Sequence, residues 1–154
     1  MISITSEPPP APPIIWGEIC LCFRCDRSAR DLLDIIPIIP TKLASRSETK
    51  YNPIEQCQNP GYWIYETAKE RSFETAALFQ NLDDLLKRHM EMFQKAKQQF
   101  APCDMFVRLY VQVCQQDEFP TIRISSDMNG TMAALGVYLD IIVEDVSELY
   151  RTDH

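Results

Sequence analysis

The stretch CDMFVRLYVQV, residues 103–113, alternates so strictly that its backbone has few options. Met105, Val107, Leu109, Val111 and Val113 recur at every second position, the period at which side chains of an extended strand share a face. Just ahead of it, from about Asn81 to Phe100, the period changes. Leu82, Leu85, Leu86, His89, Phe93, Ala96 and Phe100 fall at three- and four-residue steps, one stripe of a long helix. Asn81 is its expected cap, and Asp83 and Asp84 lie where the helix dipole favours negative charge. Lys95 and Lys97 come near its end, and Pro102 follows. A helix with one apolar stripe beside a strand with one apolar face must bury the two together, which calls for layers of helix on sheet.

The rest of the chain extends this pattern. Around CLCFRC, Ile19, Leu21, Phe23 and Cys25 alternate with Glu18, Cys20, Cys22 and Arg24, predicting a first strand. Ser28 is placed to cap a short helix buried through Leu32, Leu33, Ile35 and Ile36, which Pro37 and Pro40 end. Residues 41–60 are polar and rich in turn formers, and GYWIYE, residues 61–66, reads as a second strand. After residue 113, a turn around QDEFP leads to Ile122 and Ile124 on a further strand. MNGTMAALG then allows a short helix that Gly136 stops. In VYLDIIVED, Val137, Leu139, Ile141 and Val143 are expected to face inward and Asp140, Ile142 and Glu144 outward. The expected order is β-α-β-β-α-β-β-α-β, with one more short strand near 41–45. One long and two short helices on one face of a mainly antiparallel sheet make a two-layer α+β sandwich.

A chain of 154 residues suits one domain, and a domain of that size buries about 70% of its extended surface. The expected division is a flexible, proline-rich arm over residues 1–15 and a single α+β domain over 16–150. The start, MISITSEPPPAPP, lacks the basic and apolar regions of a secretory signal, and no apolar run approaches the ~20 residues of a membrane helix. These features predict a cytoplasmic protein with reduced thiols and no membrane partner.

The net charge is −7, which argues against nucleic acid, whose phosphates demand a basic stripe. Residues 1–115 carry 14 acidic and 13 basic side chains, whereas residues 116–154 carry eight and two. Almost the whole excess therefore lies in the last quarter.

Three of the six cysteines stand in CLCFRC. A strand sends Cys20 and Cys22 to one face and Cys25 to the other, so the three cannot converge on a metal without breaking it. Cys57, Cys103 and Cys114 are isolated, and His89 and His154 are the only histidines, so no second ligand pair has zinc spacing. Cys22 and Cys25 form a C-x-x-C, but within a strand rather than at the helix start that activates such thiols. The expected role is structural, with no metal and no cofactor. The carboxylate pairs Asp83/Asp84, Asp117/Glu118 and Glu144/Asp145 are adjacent residues that point apart, not convergent acid–base pairs. No glycine-rich phosphate loop or nucleophile elbow is present. In GYWIYE one set of aromatics is core. The other set is either surface, where Trp63 would suit a protein interface, or packed under the long helix.

The early strand and helix leading to IIPTK, the Trp-bearing GYWIYE, the helix with LDDLLKRH and the closing MAALGVYLDIIV together resemble the bacterial domain of unknown function 4279, over about residues 16–146. The resemblance implies no catalytic residues. Some relatives of that family stand beside polymorphic bacterial toxins, as immunity proteins do. What this implies is a non-enzymatic immunity protein that binds and neutralises a cognate toxin domain, a basic protein that an acidic surface would steer in. The candidate partner-binding residues are Asp117, Glu118, Asp140, Glu144, Asp145, Glu148 and Trp63. The alternatives are a small-molecule-binding or housekeeping module and an enzyme with a dispersed site.

Overall fold

The computed structural model describes residues 10–23, 28–44, 61–114 and 118–146. Both strictly alternating stretches are long strands, β1 (Ile14–Phe23) and β5 (Cys103–Val113), and they pair antiparallel from Ile14 with Gln112 to Phe23 with Cys103. Between them come β2 (Lys42–Ala44), β3 (Gly61–Glu66), β4 (Glu70–Arg71) and two helices, α1 (Ala76–Arg88) and α2 (Met90–Gln99). Helix α3 (Ser126–Leu135) and strand β6 (Tyr138–Asp145) close the described chain. The sheet runs β2-β3-β1-β5-β6, with β4 paired to the start of β1. Among the described strands every pairing is antiparallel except β5 with β6, which the α3 crossover makes parallel. The mainly antiparallel α+β sandwich expected from the sequence is the fold observed.

The helices lie on one face and the core lies beneath them. Ile15, Ile19, Leu21 and Phe23 of β1, Met105, Val107, Leu109 and Val111 of β5 and Trp63 of β3 supply the sheet side. Leu78, Leu82, Leu86, Phe93, Ala96, Phe100, Met128 and Leu135 supply the helix side. Gly17 lets α1 approach β1 closely, because a Cβ there would stand 2.7 Å from Leu82 Cδ1. At Gly61 the same atom would meet the Phe23 ring at 2.6 Å.

Several local expectations change. Ile14 and Ile15, counted with the arm by the composition, belong to β1, and Ile15 is fully buried. Residues 1–9 lie outside the described residues. The first short helix is a 3-10 helix, Ala29–Asp34, with Ser28 Oγ accepting from Arg30 N as the capping signal predicts. The long helix begins earlier, at Ala76, and divides at His89, whose φ of −117° and ψ of 24° are not helical. The stripe survives the break, since Leu82, Leu86, Phe93, Ala96 and Phe100 are all buried. Thr75 leads into α1 without capping it: its hydroxyl donates to Thr121 O and accepts from Arg123 N. Those bonds also explain why Ile122 and Ile124 form no strand. Their segment is tied to the start of α1 and makes only an isolated bridge, Glu74 with Thr121. Helix α3 ends as predicted, on Gly136 in the left-handed region at φ 64°, where a glycine escapes the Cβ penalty. Lys97 Nζ reaches across from α2 to the carbonyls of Leu135 and Gly136 at 2.6 and 3.1 Å, capping α3.

Candidate functional site: the outer face of the sheet

Alternation gives the sheet a second face, turned away from the helices, and the register aligns its side chains in rows across β1, β5 and β6. One row is Cys20, Phe106 and Tyr138; the next is Glu18, Arg108 and Asp140; the third is Trp16, Tyr110 and Ile142. The middle row is charged and largely out of water. Arg108 Nη1 donates to Glu18 Oε1 at 3.3 Å, and Arg108 Nε to Asp140 Oδ2 at 3.4 Å. Glu18 and Arg108 are buried, whereas the Asp140 side chain keeps 38% of its surface. Burying a pair of charges gives back little net stability, but it locks each partner to the other because either one alone would be stranded.

The neighbouring rows supply the walls. Trp16 and Tyr110 stack at 4.9 Å with their planes 5° apart, and Lys69 Nζ sits 4.4 Å from the Trp16 ring. On the other side the Arg108 guanidinium lies over the Phe106 ring at 4.8 Å, and Phe106 stacks on Tyr138 at 5.3 Å. An arginine between aromatic and carboxylate groups is held in both position and charge. Burial raises the Glu18 carboxyl above its usual range; Arg108 pulls it back and the nearby Glu66 pushes it further up. Burial also pushes the Tyr110 phenol up to about 12, helped by Glu18. Beside this row an open hollow of about 610 Å3 is lined by Arg108, Tyr110, Leu139, Asp140, Ile141 and Ile142. Glu18 does not line it, so a molecule in the hollow meets Arg108, Tyr110 and Asp140 beside the apolar Leu139, Ile141 and Ile142. That arrangement offers recognition by charge and apolar contact.

Two thiols of CLCFRC, Cys20 and Cys22, lie on this same face. Cys20 and Cys22 are fully buried with Tyr62 and Phe106 in a second small cluster. Burial raises the Cys20 thiol, and it pushes the Cys103 thiol up to about 12, so both hold their protons at neutral pH. Cys103 stands opposite Phe23, on the core face. Among the described residues no group of three or more His, Cys, Asp or Glu side chains has metal-binding geometry. Cys25 and Cys57 lie outside the described residues.

The acidic candidates divide. Asp140 and Glu144 share the outer face with Ile142 between them, and Glu144 accepts from Gln112 Nε2 at 3.1 Å. Asp145, the next residue, takes the opposite face and is exposed. Glu118 is exposed in the connection after β5. Asp117 and Glu148 lie outside the described residues. Trp63 is a correction: it is fully buried in the main core, edge-on to Phe93 at 6.0 Å, and presents nothing to a partner. Within GYWIYE, Trp63 lies beneath the helices and Tyr62 on the outer face. Arg108 and Glu18 were not among the candidates. Their signal was there, a charged residue at an outward position in each of two strands otherwise dense in apolar side chains.

Fold and outer face together define the class, an α+β sandwich with a helix-covered core and a second, partly charged sheet face. The chain belongs to the family described as Domain of unknown function (DUF4279), whose model matches residues 16–146. No curated protein and no solved structure matches the chain. Among the described residues no helix is long and apolar enough to cross a membrane.

Proposed function

We propose that this chain is an immunity protein, which binds and neutralises a cognate bacterial toxin domain in the cytoplasm through its outer sheet face. The observation that carries the reading is the composition of β6 on that face. Tyr138 and Ile142 are exposed apolar anchors, Asp140 and Glu144 alternate with them, and the 610 Å3 hollow adjoins them. An apolar centre interleaved with charge is the anatomy of a specific protein interface. The acidic surplus of residues 116–154 would speed encounter with a basic toxin surface and disfavour wrong partners.

The experiment uses the C-terminal domain encoded by the gene directly upstream, where a toxin partner belongs. Asp140, Glu144, Asp145 and Glu148 are changed together to lysine, and folding is checked by circular dichroism. Binding and protection of cells expressing that domain should both be lost. Unchanged affinity and full protection would remove the acidic face from the reading.

A second reading rests on the same hollow. Arg108, Tyr110 and Asp140 around an open cavity suit a small polar ligand, and this would make the chain a small-molecule-binding module. A ligand that raises the melting temperature of the wild type, but not of an Asp140→Ala variant, would favour it.

A further inference from the structure

Strand β6 ends the sheet. It is paired to β5 without a bulge over its whole length, Phe106 with Tyr138 through Val113 with Asp145. Among the described residues no strand lies on its other side. Proteins commonly blunt such an edge with proline, lysine, a bulge or a covering loop. YLDIIVED has no proline and no lysine, and apart from the half-buried Leu139 its apolar side chains remain exposed on both faces: Tyr138 57%, Ile141 43%, Ile142 39% and Val143 49%. A bare strand edge with apolar groups above and below it invites another strand, and the charges of β6 decide which one.

A two-fold axis perpendicular to the sheet lays β6 antiparallel on a second β6, each residue keeping its face. Such an axis passes through one residue, and the alternatives differ sharply. Centred on Asp140, it sets two carboxylates against each other. Centred on Ile142, it sets Asp140 against the partner's Glu144. Centred on Val143, it pairs fewer residues of the strand and puts Ile141 against the partner's Asp145. Centred on Ile141, it gives Leu139 against the partner's Val143 and Ile141 against the partner's Ile141 on the helix side. On the outer side that centre gives Asp140 against the partner's Ile142 and Glu144 against the partner's Tyr138, whose hydroxyl can donate to the carboxylate. No like charges stand directly opposite each other, and directly opposed apolar pairs stabilise a sheet whereas directly opposed like charges destabilise it.

We propose that two copies of the chain join edge to edge through β6, antiparallel about Ile141, into one sheet that runs through both. The helices of both copies then lie on the same side. The outer face stays open and carries Asp140 and Glu144 of both copies, set diagonally rather than directly opposite across the seam. The dimer does not depend on the toxin reading, and its test uses the chain alone.

The test is the molar mass of the full chain in solution, by sedimentation equilibrium over a range of concentrations. The wild type should approach twice the mass of one chain. Ile141→Arg, which sets two guanidinium groups face to face on the axis, should remain a single chain at the same concentrations. A wild type that stays monomeric throughout, or a dimer that Ile141→Arg leaves intact, would overturn the proposal. Cross-linking tests the register separately, and it holds even if the arginine variant misfolds. Directly opposed residues have Cα atoms about 4.5–5.5 Å apart, within disulfide range. Oxidised Ile141→Cys should therefore form a covalent dimer above the background of the native thiols, and Ile142→Cys should not. The reverse result would refute the Ile141 centre.

Discussion

Strands β5 and β6 share the same sequence logic, alternating aliphatic and polar side chains, and stand residue against residue in the same sheet. Their fates differ. Leu109 is fully buried and Ile141, its register partner, is 43% exposed; Arg108 is buried and Asp140, its partner, is only half-buried. The cause is position. Strand β5 has β1 on one side and β6 on the other, with α2 packed above it, whereas among the described residues β6 has only β5 as a neighbouring strand. Alternation sorts side chains between two faces, but neighbours decide whether a face becomes an interior. One strand therefore joins the interior, while the other keeps apolar side chains exposed.

The largest expected effect lies in the charged row. Arg108→Met keeps much of the side chain's bulk but strands the Glu18 carboxylate in a buried site. Breaking such a pair costs about 3–5 kcal/mol, to be read from urea unfolding near neutral pH. The cost should depend on pH with a definite sign. Glu18 is raised above its ordinary 4.5 by burial, with Arg108 opposing. The folded state thus holds this proton more tightly than the unfolded chain does. Stability from this group is complete below 4.5 and is lost as the pH rises through the folded value. Removing Arg108 drives that value higher still. The penalty should therefore be smaller near about pH 4 than at about pH 7, and a penalty that grows toward acid would contradict the assignment.

Next comes the apolar pair. Leu109→Ala empties part of a close-packed core and should cost about 2–5 kcal/mol. Ile141→Ala removes a side chain that water already reaches, and should cost about 1 kcal/mol or less at dilutions where the β6 edge is free. Equal losses would mean that β6 is covered in solution, and a loss at Ile141 that grows with protein concentration would point to the second copy.

This contrast also marks what the residues alone reveal. The inner faces of β1 and β5 were legible because alternation reports them directly, and so was the end of α3, where Gly136 follows the last helical residue. The break at His89 was not, since the stripe from Leu82 to Phe100 keeps its three- and four-residue steps across it. Nor was the start of α1, because Thr75 spends its hydroxyl on Thr121 and Arg123 instead of on a cap. In GYWIYE alternation separated Trp63 from Tyr62 but could not say which side the helices would cover. The charged row was half legible. Asp140 was placed outward correctly, but its meeting with Arg108 and Glu18 depends on strands 90 residues apart being brought into register, and local periodicity does not encode that.

The smallest effect falls on the exposed half of the same row. Asp140→Asn removes one charge from Arg108 but leaves Glu18 at 3.3 Å as its counter-ion. The Asp140 contact is long, at 3.4 Å, and that side chain keeps 38% of its surface in water. Solvent screens such a pair, and exposed pairs contribute about 0–1 kcal/mol. The amide oxygen can still accept from Arg108 Nε, so the expected change in unfolding free energy is at the lower end of that range. It should weaken further with added salt if any charge term is present. A loss as large as that from Arg108→Met would mean that Asp140, not Glu18, holds Arg108 in place. Strand β6 would then be part of the stabilising interior, and the contrast with β5 would fail at the residue where the two strands exchange charge.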